Sequence, residues 1–132
     1  MSLLQRIFGL RARDDSLGAR GERAADAFLR KLGYRVLQRN LEVGDDEADL
    51  LALDPDGRTV VIVEVKTRED DAIAPEESVN ALKQRRLTRL ALRLQKQPRY
   101  GDAPFRFDVI AVVWKAGAEP VIRHIPGAFE AR

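Results

Sequence analysis

The chain contains no cysteine and one histidine, His124, among its 132 residues. The first absence excludes a disulfide framework and a thiolate metal site, and the second leaves His124 without a His or Cys with which to share a metal. We therefore read His124 as structural. No apolar run approaches the roughly 20 residues that cross a bilayer. The opening MSLLQRIFGLRARDD has scattered apolar residues and no small-residue cleavage site, so it is a poor secretory signal. These absences fit the cytoplasm and no membrane partner. Aromatic residues make up only 6% of the chain, and the paired aromatics of an RNA-binding sheet are missing. Trp114 and Phe105 accordingly read as core or sheet-edge residues rather than base-stacking platforms.

The chain is instead rich in charge, 33% of residues, with 45% hydrophobic residues for a core. Its length suits one domain, residues 16–132, behind an N-terminal appendage, residues 1–15. The net charge is only +2, but it is unevenly spread. Residues 40–57 hold seven acids and no Lys or Arg, whereas residues 83–106 hold eight basic residues against one acid, Asp102. An acidic centre between basic segments suits a metal site acting on a polyanion; a solvated, arginine-rich surface is the plainer alternative.

The spacing of Leu17, Ala24, Ala25, Phe28 and Leu32 predicts a helix from about Ser16 to Leu32, stopped by Gly33. Strands are expected at Tyr34–Gln38, Glu47–Leu53 and Thr59–Thr67, the last two forming a hairpin about Asp54-Pro55-Asp56-Gly57. A long helix should begin near Pro75 and end by Pro98, with an apolar stripe of Val79, Leu82, Leu87, Leu90, Ala91 and Leu94. Strands at Arg106–Trp114 and Val121–Ile125 come next. The order helix, three strands, helix, two strands describes an α/β sandwich.

The stretch VVIVEVKT, Val60–Thr67, sets Glu64 and Lys66 on one face of an otherwise apolar strand. A buried carboxylate is costly unless paired or bound to metal. With the turn centred on Pro55 and Asp56, Asp49 would stand opposite Ile62 and diagonal to Glu64, close enough to share an ion. A bulge at Gly57 would shift that register. Two carboxylates and a lysine suit metal-assisted phosphodiester hydrolysis; a local ion pair between Glu64 and Lys66 is the alternative.

Further motifs stand in order: Gly18-x-x-Gly21-Glu22, Gly33-Tyr34, Arg39-Asn40, Glu47-x-Asp49-Leu50, Val63-Glu64-Val65-Lys66-Thr67-Arg68, Lys83-x-x-Arg86-Leu87, Arg106-Phe107-Asp108-Val109 and His124-Ile125-Pro126-Gly127-Ala128-Phe129. The set resembles the YraN-type bacterial family of predicted endonucleases over residues 16–129. That family looks like a member of the PD-(D/E)XK superfamily, which includes restriction endonucleases and Holliday junction resolvases. The resemblance implies an α/β fold with a restriction-endonuclease-like core: a mixed central sheet flanked by helices.

It also implies a Mg²⁺ (or Mn²⁺) dependent endonuclease acting on DNA, branched or structured DNA included. Asp49, Glu64, the main-chain carbonyl of Val65 and Glu22 would be metal ligands, with Lys66 completing the catalytic set. Arg68, Lys83 and Arg86 are the candidate nucleic-acid contacts, while Arg85, Arg89, Arg93 and Lys96 read as a solvated helix face. The alternative is a DNA-binding accessory protein that keeps the fold and cleaves little or not at all. Resolvase-like relatives leave homodimerisation open. This chain has Asp46-Glu47-Ala48-Asp49-Leu50 where the family favours Gly-Glu-Ile-Asp-Leu, and Glu42 where a basic residue is usual. Added negative charge there would weaken phosphate approach or reflect a different substrate.

Overall fold

The computed structural model describes residues 15–70 and 79–131. The residues before Asp15, and the expected start of the second helix near Pro75, lie outside them. Helix α1 (Leu17–Lys31) starts where the Ser16 side chain accepts the Ala19 N–H at 3.2 Å, and it buries Gly21, Ala25, Asp26 and Leu29, a four-residue spacing that marks one face. Strands β1 (Arg35–Val43), β2 (Asp46–Leu53) and β3 (Val60–Arg68) follow, then α2 (Ala81–Gln95), capped by Asn80, and strands β4 (Phe105–Val113) and β5 (Val121–Phe129). The helices and strands come in the expected order.

The five strands lie in sequence order in one sheet, with β3 and β4 parallel and every other neighbouring pair antiparallel. The β3–β4 crossover contains α2, as a parallel connection requires. One core lies between the sheet and α1, with Leu29, Val61, Val63 and Ile110 among its members. A second lies between the sheet and α2, with Leu51, Ile62, Leu87, Leu90, Leu94 and Phe107. Covered on both faces, β3 is buried from Val60 to Val65, which accounts for its near-continuous apolar run. No helix among the described residues is long and apolar enough to cross a membrane.

Four expectations are corrected. Strand β1 runs to Val43 rather than Gln38, because Leu41 is buried and the ladder with β2 continues through polar, outward-facing residues at the sheet edge. Strand β5 runs to Phe129 rather than Ile125. Pro126 is tolerable in an edge strand, and the Gly127 N–H turns to Asp108 at 3.0 Å instead of joining the ladder. Helix α2 starts at Ala81 behind the Asn80 cap rather than near Pro75, so Val79 precedes it, and Leu82, 50% exposed, leaves its apolar stripe.

The fourth correction concerns the hairpin register. Leu53 pairs with Val60 and Leu50 with Val63, so residues 54–59 form a longer loop than the expected tight turn. Asp56 accepts the N–H groups of Arg58 and Thr59, both at 2.8 Å, and Gly57 takes φ 73°. Continued by one residue, this register brings Asp49 level with Glu64 rather than opposite Ile62.

Candidate active site

Both helices begin beside the end of β3. On α1, a Cβ at Gly21 would lie 1.8 Å from Thr67 Oγ1, so only glycine lets the helix approach the strand this closely. On α2, Lys83 in the first turn reaches back to Glu64, with Nζ 3.7 Å from Oε1. The positive ends of two helix dipoles therefore meet at one end of the sheet, where negative charge is favoured.

Glu64 is only 5% exposed. Its Oε1 lies 3.3 Å from Lys66 Nζ as well as 3.7 Å from Lys83, while Oε2 is buried without a hydrogen-bond partner. Asp49 Oδ2 accepts the Val65 N–H at 2.7 Å. Asp49 thus meets the Val65 peptide through its N–H rather than its carbonyl. On either side of Asp49, Ala48 packs into the α2-side core and Leu50 into the α1-side core. Residues two apart in a regular strand share a face, so β2 is distorted at Asp49. That distortion, at the last residue before the β2–β3 ladder, lets Asp49 reach Glu22 on α1 as well as β3.

Glu22 shares a hydrogen bond with Asp49, and its carboxyl is pushed up to about 7 by burial first and then by the charges of Asp49 and Glu64, with Arg39 opposing. Burial also raises Asp49, against the Val65 N–H and the two lysines, and raises Glu64, to which the Asp49 charge adds. The structure thus assembles Glu22, Asp49, Glu64, Lys66 and Lys83 from α1, β2, β3 and α2. Among the described residues, no group of three or more Asp, Glu, His or Cys side chains is arranged to hold a metal ion. The donors that are present, hard carboxylate oxygens with one buried oxygen of Glu64 unpartnered, suit a small hard cation that keeps several waters.

The remaining candidates separate. Arg68 is exposed at the end of β3, and its Nη1 lies 3.3 Å from the Thr67 carbonyl. Arg86 is exposed one turn beyond Lys83, and its charge acts on Asp46. Arg89 and Arg93 are not merely solvated. Arg89 holds the buried Asp46 through two 2.6 Å hydrogen bonds, and Arg93 lies 3.6 Å from the same carboxylate and donates to the Val43 carbonyl at 3.0 Å. Asp46 is therefore neutralised within the fold rather than adding free negative charge to the site, which corrects the expectation for that substitution.

Asp108 is buried and accepts from Arg106, from the Gly127 N–H and from His124 Nε2 at 2.7 Å; Arg106 also bonds Asp54 and Tyr34. His124 packs edge-on against Phe28 and Tyr34 as a structural partner. Sequence reasoning missed the buried Asp26, which holds both Arg30 and Arg39. The second arginine is 13 residues away and carries no periodic signal. Gly18, Glu22, Arg23, Arg39 and Asn40 line a cleft of about 470 Å³ beside the carboxylates, where Asn40 takes a left-handed φ of 50°.

Comparison with known proteins agrees with the ordered motifs. A UPF0102 protein of Geotalea uraniireducens is 41% identical over 121 residues, covering 91% of this chain and 94% of that one. Another, from Pelobacter propionicus, is 41% identical over 114 residues, covering 86% and 81%. Among solved structures, a Holliday junction resolvase of Archaeoglobus fulgidus is 21% identical with a TM-score of 0.47, over 83% of this chain and 76% of that one. The model of "Uncharacterised protein family UPF0102" matches residues 21–112, and the chain belongs to that family.

Proposed function

We propose that the protein is a divalent-cation-dependent endonuclease that hydrolyses phosphodiester bonds in DNA. The observation that carries this reading is Glu64: a buried acid with one oxygen unpartnered, beside Asp49 and Glu22, and approached by two lysines. The large majority of buried side-chain oxygens in folded proteins are hydrogen-bonded. Asp49 and Glu64, joined by the Val65 carbonyl, would hold Mg²⁺ or Mn²⁺. A cation there would supply a water of lowered pKa and relieve the repulsion among the carboxylates.

The chain's own residues do the rest. Lys66 neutralises charge developing on the phosphate and orients the attacking water. Lys83 adds a second positive charge on the α2 side, and Glu22 holds a proton against Asp49 near neutral pH. Arg68, at the end of β3, and Arg86, along α2, would meet the phosphates of the nucleic-acid strand. Hydrolysis breaks a phosphorus–oxygen bond, with the water oxygen joining phosphorus and a proton passing to the leaving oxygen.

The test is cleavage of single-stranded, duplex, flap and four-way-junction DNA with Mg²⁺ or Mn²⁺ against EDTA, with Glu64→Ala in parallel. Metal-dependent cutting lost in the variant is the expected result. Salt-sensitive DNA binding without cutting would indicate an accessory protein that keeps the site's architecture. Cation binding has its own readout. Mg²⁺ should raise the wild-type Tm at pH 8 and leave that of an Asp49→Asn, Glu64→Gln double variant unmoved.

A further inference from the structure

Trp114 follows β4 immediately and is fixed at three points. Its main-chain N–H donates to the Arg68 carbonyl at 2.8 Å, its indole N–H donates to the Ala118 carbonyl at 3.0 Å, and its ring packs against the α1-side core. Over the ring lies the guanidinium of Arg20, 4.3 Å from the centroid. Beside this pair opens a cleft of about 540 Å³ lined by Asp15, Arg20, Arg23, Ala24 and Trp114. Its volume falls in the range of ordinary ligand sites.

The lining has a definite chemistry. A planar cation on an indole offers a flat surface on which another π-system can stack, and Arg23, 3.0 Å from Asp15, adds a second guanidinium at the rim. The cleft also has a definite place. Thr67 pairs with Val112 and Arg68 with Val113 across β3 and β4, so Trp114 stands one strand over from the end of the Glu64–Lys66 strand. Helix α1 joins the two, with Glu22 toward Asp49 and Arg20 over Trp114.

We propose that Arg20 and Trp114 form a stacking platform for an unpaired base of the substrate strand. This rests on the proposed nuclease function and narrows it to DNA that carries unpaired bases, such as a single strand, a flap or an opened branch point. A closed duplex keeps its bases stacked on each other and has none to offer without the free-energy cost of unstacking.

Trp114 is the only tryptophan, so its emission reports on the cleft directly. The full chain in EDTA is titrated with a fluorescently labelled oligothymidylate and, separately, with a blunt duplex, following label anisotropy and indole emission together. Single strands should quench Trp114 and the duplex should not. Arg20→Ala and Trp114→Leu should each weaken single-strand binding about tenfold, within the range for one stacked base, while Trp114→Phe keeps most of the affinity. Melting curves for each variant check the fold. Single-strand binding with unchanged emission and no effect of Arg20→Ala would overturn the platform and leave the nuclease reading standing. Failure of the wild type to bind any DNA in EDTA would overturn the platform, and cleavage with Mg²⁺ would then decide the nuclease reading separately.

Discussion

Four acids are buried among the described residues, and their partners divide them by role. Asp26 meets Arg30 and Arg39, Asp46 meets Arg89 and Arg93, and Asp108 meets Arg106, His124 and the Gly127 N–H. Glu64 alone keeps a buried oxygen unpartnered. Removing one member of a satisfied buried pair strands the other, so Asp108→Ala should cost roughly 3–5 kcal/mol in chemical denaturation. Glu22 behaves in the opposite sense. Its folded-state pKa of about 7 lies above the ordinary 4.5, so the anion is less favourable in the fold than in the unfolded chain. Without a cation, stability should fall as pH rises from about 4.5 to 7. Glu22→Gln should then melt roughly 2–4 °C above wild type at pH 8, and the difference should vanish at pH 4, as read by circular dichroism. The acid and lysine pattern was legible because strand alternation alone sets Glu64 and Lys66 on one face. Arg39 and Arg89, the distant partners of Asp26 and Asp46, were not, since they lie 13 and 43 residues away.

The helices place the site by where they start. Gly21 brings α1 against Thr67, and any Cβ there must displace the strand or the helix. Gly21→Ala should therefore destabilise by about 1–3 kcal/mol despite alanine's better helix propensity, measured by urea unfolding. Asn80 caps α2 by accepting the Lys83 N–H at 2.9 Å. Asn80→Ala should cost about 1 kcal/mol and loosen the turn that carries Lys83 to Glu64. Strand boundaries were less legible than helix faces. The polar run Gln38–Asn40 and the pair Pro126-Gly127 read as breaks, yet both fall in edge strands. There, outward side chains meet water and a missing or diverted N–H is tolerated.

Over the whole molecule, basic residues divide between holding the fold and facing outward. Arg89 commits its guanidinium to Asp46, so Arg89→Gln should lower Tm while leaving the salt dependence of DNA binding nearly unchanged. Lys83 faces the incompletely satisfied Glu64 beside the site, so Lys83→Gln should reduce the slope of log affinity against log salt by about one. Composition could not separate these residues, because both lie in the same basic segment of the chain. The sequence by itself determined the features set by local periodicity and ordered motifs: two amphipathic helices, a doubly buried β3, the order of elements and the family. Only the tertiary structure decided the features that depend on contacts distant along the chain. The longer loop after Asp54 moved the register by two residues, the distortion at Asp49 let it face both Glu22 and β3, and burial forced the acids into partnered and unpartnered classes. Side-chain period is a property of neighbours, whereas register, burial and charge pairing are settled only when remote segments exclude water together.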